Sequence, residues 1–186
     1  SYVTGAHAAK VGLTFMRLSA HTTQDVVNDG VMGGHSAGFV EVTEGTLRFT
    51  GTLVTQDGGF TSVRARRDID LAGQTGIELR VRGSGRQFEV EVDDGTRTYG
   101  RSISRRAPIA TTAEWTTVRV PFSALRSTIF GRAVNAAPLD VARIRGIGLY
   151  IADGKDGTFE GGSGRTATTR AATRAFSSSV SPGTAT

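Results

Sequence analysis

From Phe39 to Ala152 the apolar residues recur at every second position in short runs, and that period constrains the fold more than any other feature. Leu47, Phe49, Gly51 and Leu53 alternate with Thr46, Arg48, Thr50 and Thr52. Ile77, Leu79 and Val81 alternate with Glu78, Arg80 and Arg82, and Phe88, Val90 and Val92 with Glu89, Glu91 and Asp93. A period of two belongs to a half-buried strand, whose side chains point to opposite faces in turn. No stretch before residue 161 sustains a helical period over three turns, and one helical turn fits around Ser123-Ala124-Leu125. The 186 residues hold 25 Gly and 4 Pro, an excess that supplies many turns and so many short strands. About eight strands at regular spacing predict an antiparallel β-sandwich or jelly roll.

The turns can be placed with the strands. Phe39, Val40 and Val42 lead to a Glu44-Gly45 turn, and Gly58-Gly59 break the chain before Phe60-Thr61-Ser62-Val63-Arg64. Asp94-Gly95 predicts a type I′ hairpin, with Thr96 to Ser104 returning as one strand. Trp115 to Pro121 and Ile144 to Ala152 are further strands, and Trp115 is expected in the core. The organisation expected is an N-terminal edge segment over 1–23, one sandwich over 24–160 and a disordered polar tail over 161–186. The tail is almost entirely Thr, Ala, Ser, Gly and Arg, too polar to offset its ordering entropy.

Composition removes several functions. Without Cys there is no disulfide scaffold, zinc-thiolate site, iron–sulfur cluster or thiol nucleophile. His7, His21 and His35 include no pair at helical ligand spacing. No apolar run approaches the ~18 residues of a membrane-spanning helix. The net charge is +5, and the acid-free tail carries Arg165, Arg170 and Arg174. With 7% aromatic residues and no basic run, nucleic acid is not an expected partner. The chain starts with Ser1, as it would inside a longer reading frame or after processing. A soluble protein of the bacterial cytoplasm is the expectation, though the sequence does not specify the compartment.

The most unusual segment is Val27-Asn28-Asp29-Gly30-Val31-Met32-Gly33-Gly34-His35-Ser36. Asn and Asp bond nearby backbone N–H groups, and Gly33-Gly34 allows close approach of another strand or a ligand. Asn28, Asp29, Met32, Gly33, Gly34 and Ser36, with Phe60 and Arg64 from the second diglycine segment, form the candidate binding set. The competing reading is that Asn28, Asp29 and Ser36 cap a turn that closes the sandwich, which the turn chemistry alone explains. His35 and Ser36, adjacent on an extended chain, face opposite ways and cannot act as base and nucleophile. Asp153, Asp156 and Glu160 read as a turn and not as a metal loop. Glu89, Glu91 and Asp93 read as a solvated face paired with Arg80 and Arg82; Arg97, Arg101, Arg105 and Arg106 read as solvated, with a patch for an anionic partner as the alternative. No catalytic residue, metal or cofactor is expected.

The string VNDGVMGGHS followed by GGFTSVR resembles the family of the 30-kDa complex I intermediate-associated protein. Trp115 to Phe122 (WTTVRVPF), Phe130-Gly131-Arg132 and Ile144 to Asp153 (IRGIGLYIAD) follow that family's pattern in the same order. The resemblance covers about residues 24–160. It implies a galactose-binding-like β-sandwich akin to carbohydrate-binding modules, and a chaperone-like role in assembling NADH:ubiquinone oxidoreductase or another membrane oxidoreductase. It implies a protein partner and no catalytic residues. A carbohydrate-binding module is one alternative, and a small enzyme with a pocket near Asn28, Asp29 and Arg64 is another. Two departures stand out. Gln24 or Asp25 holds the place of the family's usual Trp before the VND segment. After Glu160 the expected alternating strand gives way to Gly161-Gly162-Ser163-Gly164, so a final strand would be missing or cut short.

Overall fold

The structure, a computed structural model, describes residues 24–43 and 46–163. The expected N-terminal segment, the Glu44-Gly45 turn and the tail from residue 164 onward lie outside the described residues. Fourteen strands follow in chain order: β1 Gln24–Asn28, β2 Ala37–Thr43, β3 Thr46–Leu53, β4 Thr61–Ile69, β5 Gly76–Gly83, β6 Phe88–Asp93 and β7 Arg97–Thr98. Then come β8 Arg101–Ser102, β9 Ser104–Ile109, β10 Thr116–Pro121, β11 Arg126–Ile129, β12 Arg132–Ala133, β13 Ile144–Ile151 and β14 Gly157–Ser163. They form a seven-stranded sheet in the order β1-β4-β13-β6-β9-β11-β12 and a five-stranded sheet in the order β10-β5-β14-β3-β2. A ribbon of β7 and β8 stands apart. All pairings among the described residues are antiparallel, and the alternation fits sheets buried on one face.

The alternating residues build the core as expected. Leu47, Phe49, Leu53, Ile77, Leu79 and Val81 from one sheet are buried with Val63, Phe88, Val90, Val92, Ile147, Leu149 and Ile151 from the other. Phe159 joins the sheets, its ring edge-on to Phe49 at 5.0 Å and to Phe88 at 6.1 Å. The helical turn lies at Phe122–Ala124.

Five local expectations are corrected. The final strand is present: β14 runs through Gly161, Gly162 and Ser163 and lies between β3 and β5. Glycine suits this place because the Phe88 ring fills the space beneath Gly161, 2.5 Å from where a Cβ would stand. Asp94-Gly95 is no type I′ hairpin, since only Gly95 has positive φ and β6 pairs with β9. Thr96 to Ser104 is not one strand but doubles back at Tyr99-Gly100. Glu89 and Glu91 do not pair with Arg80 and Arg82, because β5 and β6 belong to different sheets. Trp115 is half-buried outside the core, packed over Gly162 with Arg80 and Arg82 guanidinium groups 5.4 and 5.0 Å from its ring.

The register carries a direct consequence. Strand β14 meets β5 only through Gly161, Gly162 and Ser163. A chain ended at Glu160 loses this seam, and at about 1 kcal/mol per hydrogen bond the loss is roughly 3 kcal/mol or more. Thermal unfolding of that chain is expected about 6–12 °C below that of a chain ended at Gly164.

Candidate functional site

Asp29 is fully buried at the start of the 3₁₀ turn Asp29–Met32. Its carboxylate accepts from the Ser36 N–H at 2.8 Å, the Ser36 hydroxyl at 2.6 Å, the Gly59 N–H at 2.6 Å and the Phe60 N–H at 3.3 Å. Asn28 Oδ1 accepts from the Gly38 N–H at 3.0 Å and the Thr61 hydroxyl at 2.6 Å. The two diglycines make room for this knot: a Cβ on Gly34 would stand 2.3 Å from the Asp29 Cγ, and one on Gly58 2.5 Å from its Oδ2. Gly33 adopts φ 92° and ends the turn. Burial pushes the Asp29 carboxyl up, but the bonds from Ser36, Gly59 and Phe60 outweigh it and hold the group below its ordinary value. His35 points to solvent and Ser36 is buried.

The candidate set therefore divides. Asn28, Asp29, Gly34 and Ser36 come together in the knot, with Gly33 at its turn, while Phe60 and Arg64 reach the outer face of the seven-stranded sheet. Met32 belongs to the turn, and its side chain lies outside the described residues. Phe60 and Arg64 line a groove of about 430 Å³ with Val27, Arg97, Arg101, Arg106, Phe130 and Tyr150. Phe60 stacks on Tyr150 at 5.5 Å with rings 15° from parallel, and the Arg106 guanidinium lies 4.0 Å over the Tyr150 ring. Arg64 donates to Glu91 at 2.9 Å across Gly148, where a Cβ would stand 3.2 Å from the Arg64 Cγ. Arg106 pairs with Glu89 at 3.2 Å and donates to the Thr128 hydroxyl.

Sequence reasoning placed Arg105 and Arg106 in solvent, and both are buried. Arg105 pairs with buried Asp94 at 2.9 Å and donates to Thr96 beside one hairpin and Ser127 beside another. Burial pushes the Asp94 carboxyl up, and N–H bonds from Asp140 and Thr96 with the Arg105 contact bring it below its ordinary value. The three carboxylates of the suspected loop serve separate partners: Asp153 takes Arg86 at 2.7 Å, Asp156 the Thr55 N–H at 2.6 Å and Glu160 Arg48 at 3.1 Å.

Two exposed aromatic tips were also missed, Phe130 in the groove lining and Tyr99 next to the lining Gly100. Tyr99 and Phe130, 92% and 68% exposed, sit at hairpin tips with φ of 51° and 47°. Each precedes a positive-φ glycine, Gly100 or Gly131, so each turn has the φ signs of type I′. An aromatic residue in that region costs about 1–3 kcal/mol. The signal was present as Thr-Tyr-Gly-Arg and Ile-Phe-Gly-Arg, but the strand preference of Tyr hid the first turn.

This fold and face define a galactose-binding-like β-sandwich with an open groove on one sheet. The chain belongs to the Complex I intermediate-associated protein 30 (CIA30) family, whose model matches residues 13–160. That match begins inside the segment expected to lie before the sandwich. No curated protein matches the sequence. Among solved structures, the family 11 carbohydrate-binding module of cellulase Lic26A-Cel5E of Clostridium thermocellum is similar at 15% identity, covering 78% of this chain and 88% of its own, with TM-score 0.55. The family 11 module of Clostridium thermocellum in complex with a β-1,3-1,4-mixed-linked tetrasaccharide gives 15%, 77%, 88% and 0.54. A family 30 carbohydrate-binding module gives 17%, 83%, 80% and 0.52. These likenesses show the fold.

Asp29→Asn is expected to destabilise the domain by about 2–4 kcal/mol, because an amide nitrogen would face N–H donors in a buried site. The Asp29 carboxyl is lowered in the folded state, so its contribution is present above the ordinary carboxylate value and lost as pH falls through the folded one. Urea midpoints of the parent and variant should differ fully near pH 7 and draw together as pH falls below the ordinary carboxylate range. A constant gap across that range would show that the charge is not what stabilises the knot.

Proposed function

We propose that this protein is a non-catalytic binding module that assists the assembly of a respiratory or other membrane oxidoreductase complex, holding a partner protein in the groove. Family membership supports the assembly role. The observation that carries the groove is its lining: guanidinium groups of Arg64, Arg97, Arg101 and Arg106 set among Phe60, Phe130 and Tyr150 on an open sheet face. Arginine and large aromatics are the residues that dominate protein interfaces.

The carbohydrate reading draws on the fold of the neighbouring modules, and fold does not carry function. A sugar needs an aromatic face to stack on. On the groove floor Tyr150 carries both Phe60 and the Arg106 guanidinium against its ring, and the exposed rings, Tyr99 and Phe130, stand at the hairpin tips. The pocket-enzyme alternative grouped Asn28 and Asp29 with Arg64. The first two are bonded within the knot, and only Arg64 lines the groove.

The test is photo-crosslinking in the native host from a residue introduced at Tyr99, with Thr117 on the opposite sheet as the control. Tyr99 is expected to capture oxidoreductase subunits and Thr117 to capture none of them. Equal capture from both positions, or capture of glycan at Tyr99, would contradict the proposal.

A further inference from the structure

The charge of the groove and the exposed rings beside it restrict what it can hold. The guanidinium groups of Arg64, Arg97, Arg101 and Arg106 only donate, and no carboxylate lines the cavity. Glu91 and Glu89 lie behind it, already taken by Arg64 and Arg106. Arg97 and Arg101 have no acidic partner among the described residues: Arg97 donates to the Gly100 carbonyl and the Ser102 hydroxyl of its own ribbon, and Arg101 rests on Phe130. Neutral sugars present hydroxyls that need acceptors as well as donors. A donor-lined groove with two unneutralised cations fits a ligand that supplies acceptors and negative charge.

The two tips add an apolar requirement. Tyr99 and Phe130 are held outward on tight turns that would suit glycine better, and the contact of Arg101 with Phe130 brings the two hairpins together. Resting on the assembly reading above, we infer that the groove receives an extended acidic segment of the partner protein, its carboxylates paired with Arg97 and Arg101 and an apolar side chain seated against the projecting rings. Carboxylate side chains are matched by the guanidinium fork, and an aromatic or aliphatic neighbour in the same segment buries Phe130 and Tyr99 on binding.

The inference is tested by fluorescence anisotropy on the purified full chain at low ionic strength. The probes are a labelled peptide of Glu and Asp interrupted by Phe, the same peptide with Gln and Asn in place of the acids, and oligogalacturonate as an acidic saccharide. The acidic peptide is expected to bind and the amide peptide not to bind. Arg101→Gln should weaken binding about tenfold or more, since a charge-assisted bond is lost. The double variant Tyr99→Gly with Phe130→Gly should abolish binding while its melting temperature stays level or rises, because glycine relieves both turns. Equal binding of the amide peptide, tighter binding of oligogalacturonate, no binding of any probe, or a double variant that unfolds earlier would each overturn the inference. If no peptide binds while Tyr99 still captures oxidoreductase subunits, the acidic segment is wrong and the assembly reading stands. If the acidic peptide binds and no such subunit is captured, the groove chemistry stands and the assembly reading falls.

Discussion

A single buried carboxylate organises the end of the sandwich that carries the groove. Asp29 gathers the Ser36 hydroxyl and three backbone N–H groups from two loops that are far apart in sequence. A buried anion is costly unless it is fully bonded, so the loops must close on it as a set. That is why glycine stands at 34 and 58, where any side chain would enter the carboxylate's space. The same closure presents the Phe60 N–H to Asp29 and sends the Phe60 ring to the opposite side, onto Tyr150. The groove floor is thus a consequence of the knot, although none of the knot's polar groups faces the groove.

The opposite wall depends on two neighbouring arginines that point to opposite faces. Arg105 turns inward to Asp94 and reaches Thr96 and Ser127, while Arg106 turns outward to Glu89 and Thr128. Between them they pin strand β11 and the residue that opens the ribbon. Removing one member of a buried ion pair leaves the other uncompensated, a loss of about 3–5 kcal/mol. With their bases held in this way, the tips at Tyr99 and Phe130 can project into solvent with unfavourable backbone angles. The design is a rigid floor and two anchored, exposed aromatic rims, which suits capture of a segment from another protein.

Much of this was legible in the residues. The period of two located the core of Leu47, Phe49, Leu79, Val90 and Leu149, and the turn chemistry of Asn28-Asp29-Gly30 together with the diglycines pointed to a close approach. What approached could not be read, because Asp29 bonds residues up to thirty-one positions away. The burial of Arg105 and Arg106 was hidden for a related reason. Their partners depend on β9 lying between β6 and β11, and sheet order is not encoded in local alternation. Gly161 and Gly162 suggested the end of the sandwich, yet β14 persists, with Phe88 filling the space beneath Gly161 and Trp115 packed over Gly162. Trp115 was misjudged because an alternating pattern does not say which face is covered, and Arg80 and Arg82 flank its ring outside the core.

The central claim is that the aromatic rims serve partner assembly and not the fold. It is tested most directly by complementation: a host lacking this protein receives either the parent chain or a chain with both Tyr99 and Phe130 replaced by Gly, and assembled oxidoreductase complexes are measured on native gels. The account predicts that the variant accumulates to the parent level but fails to restore the assembled complex. Full restoration by a variant without either ring would contradict it.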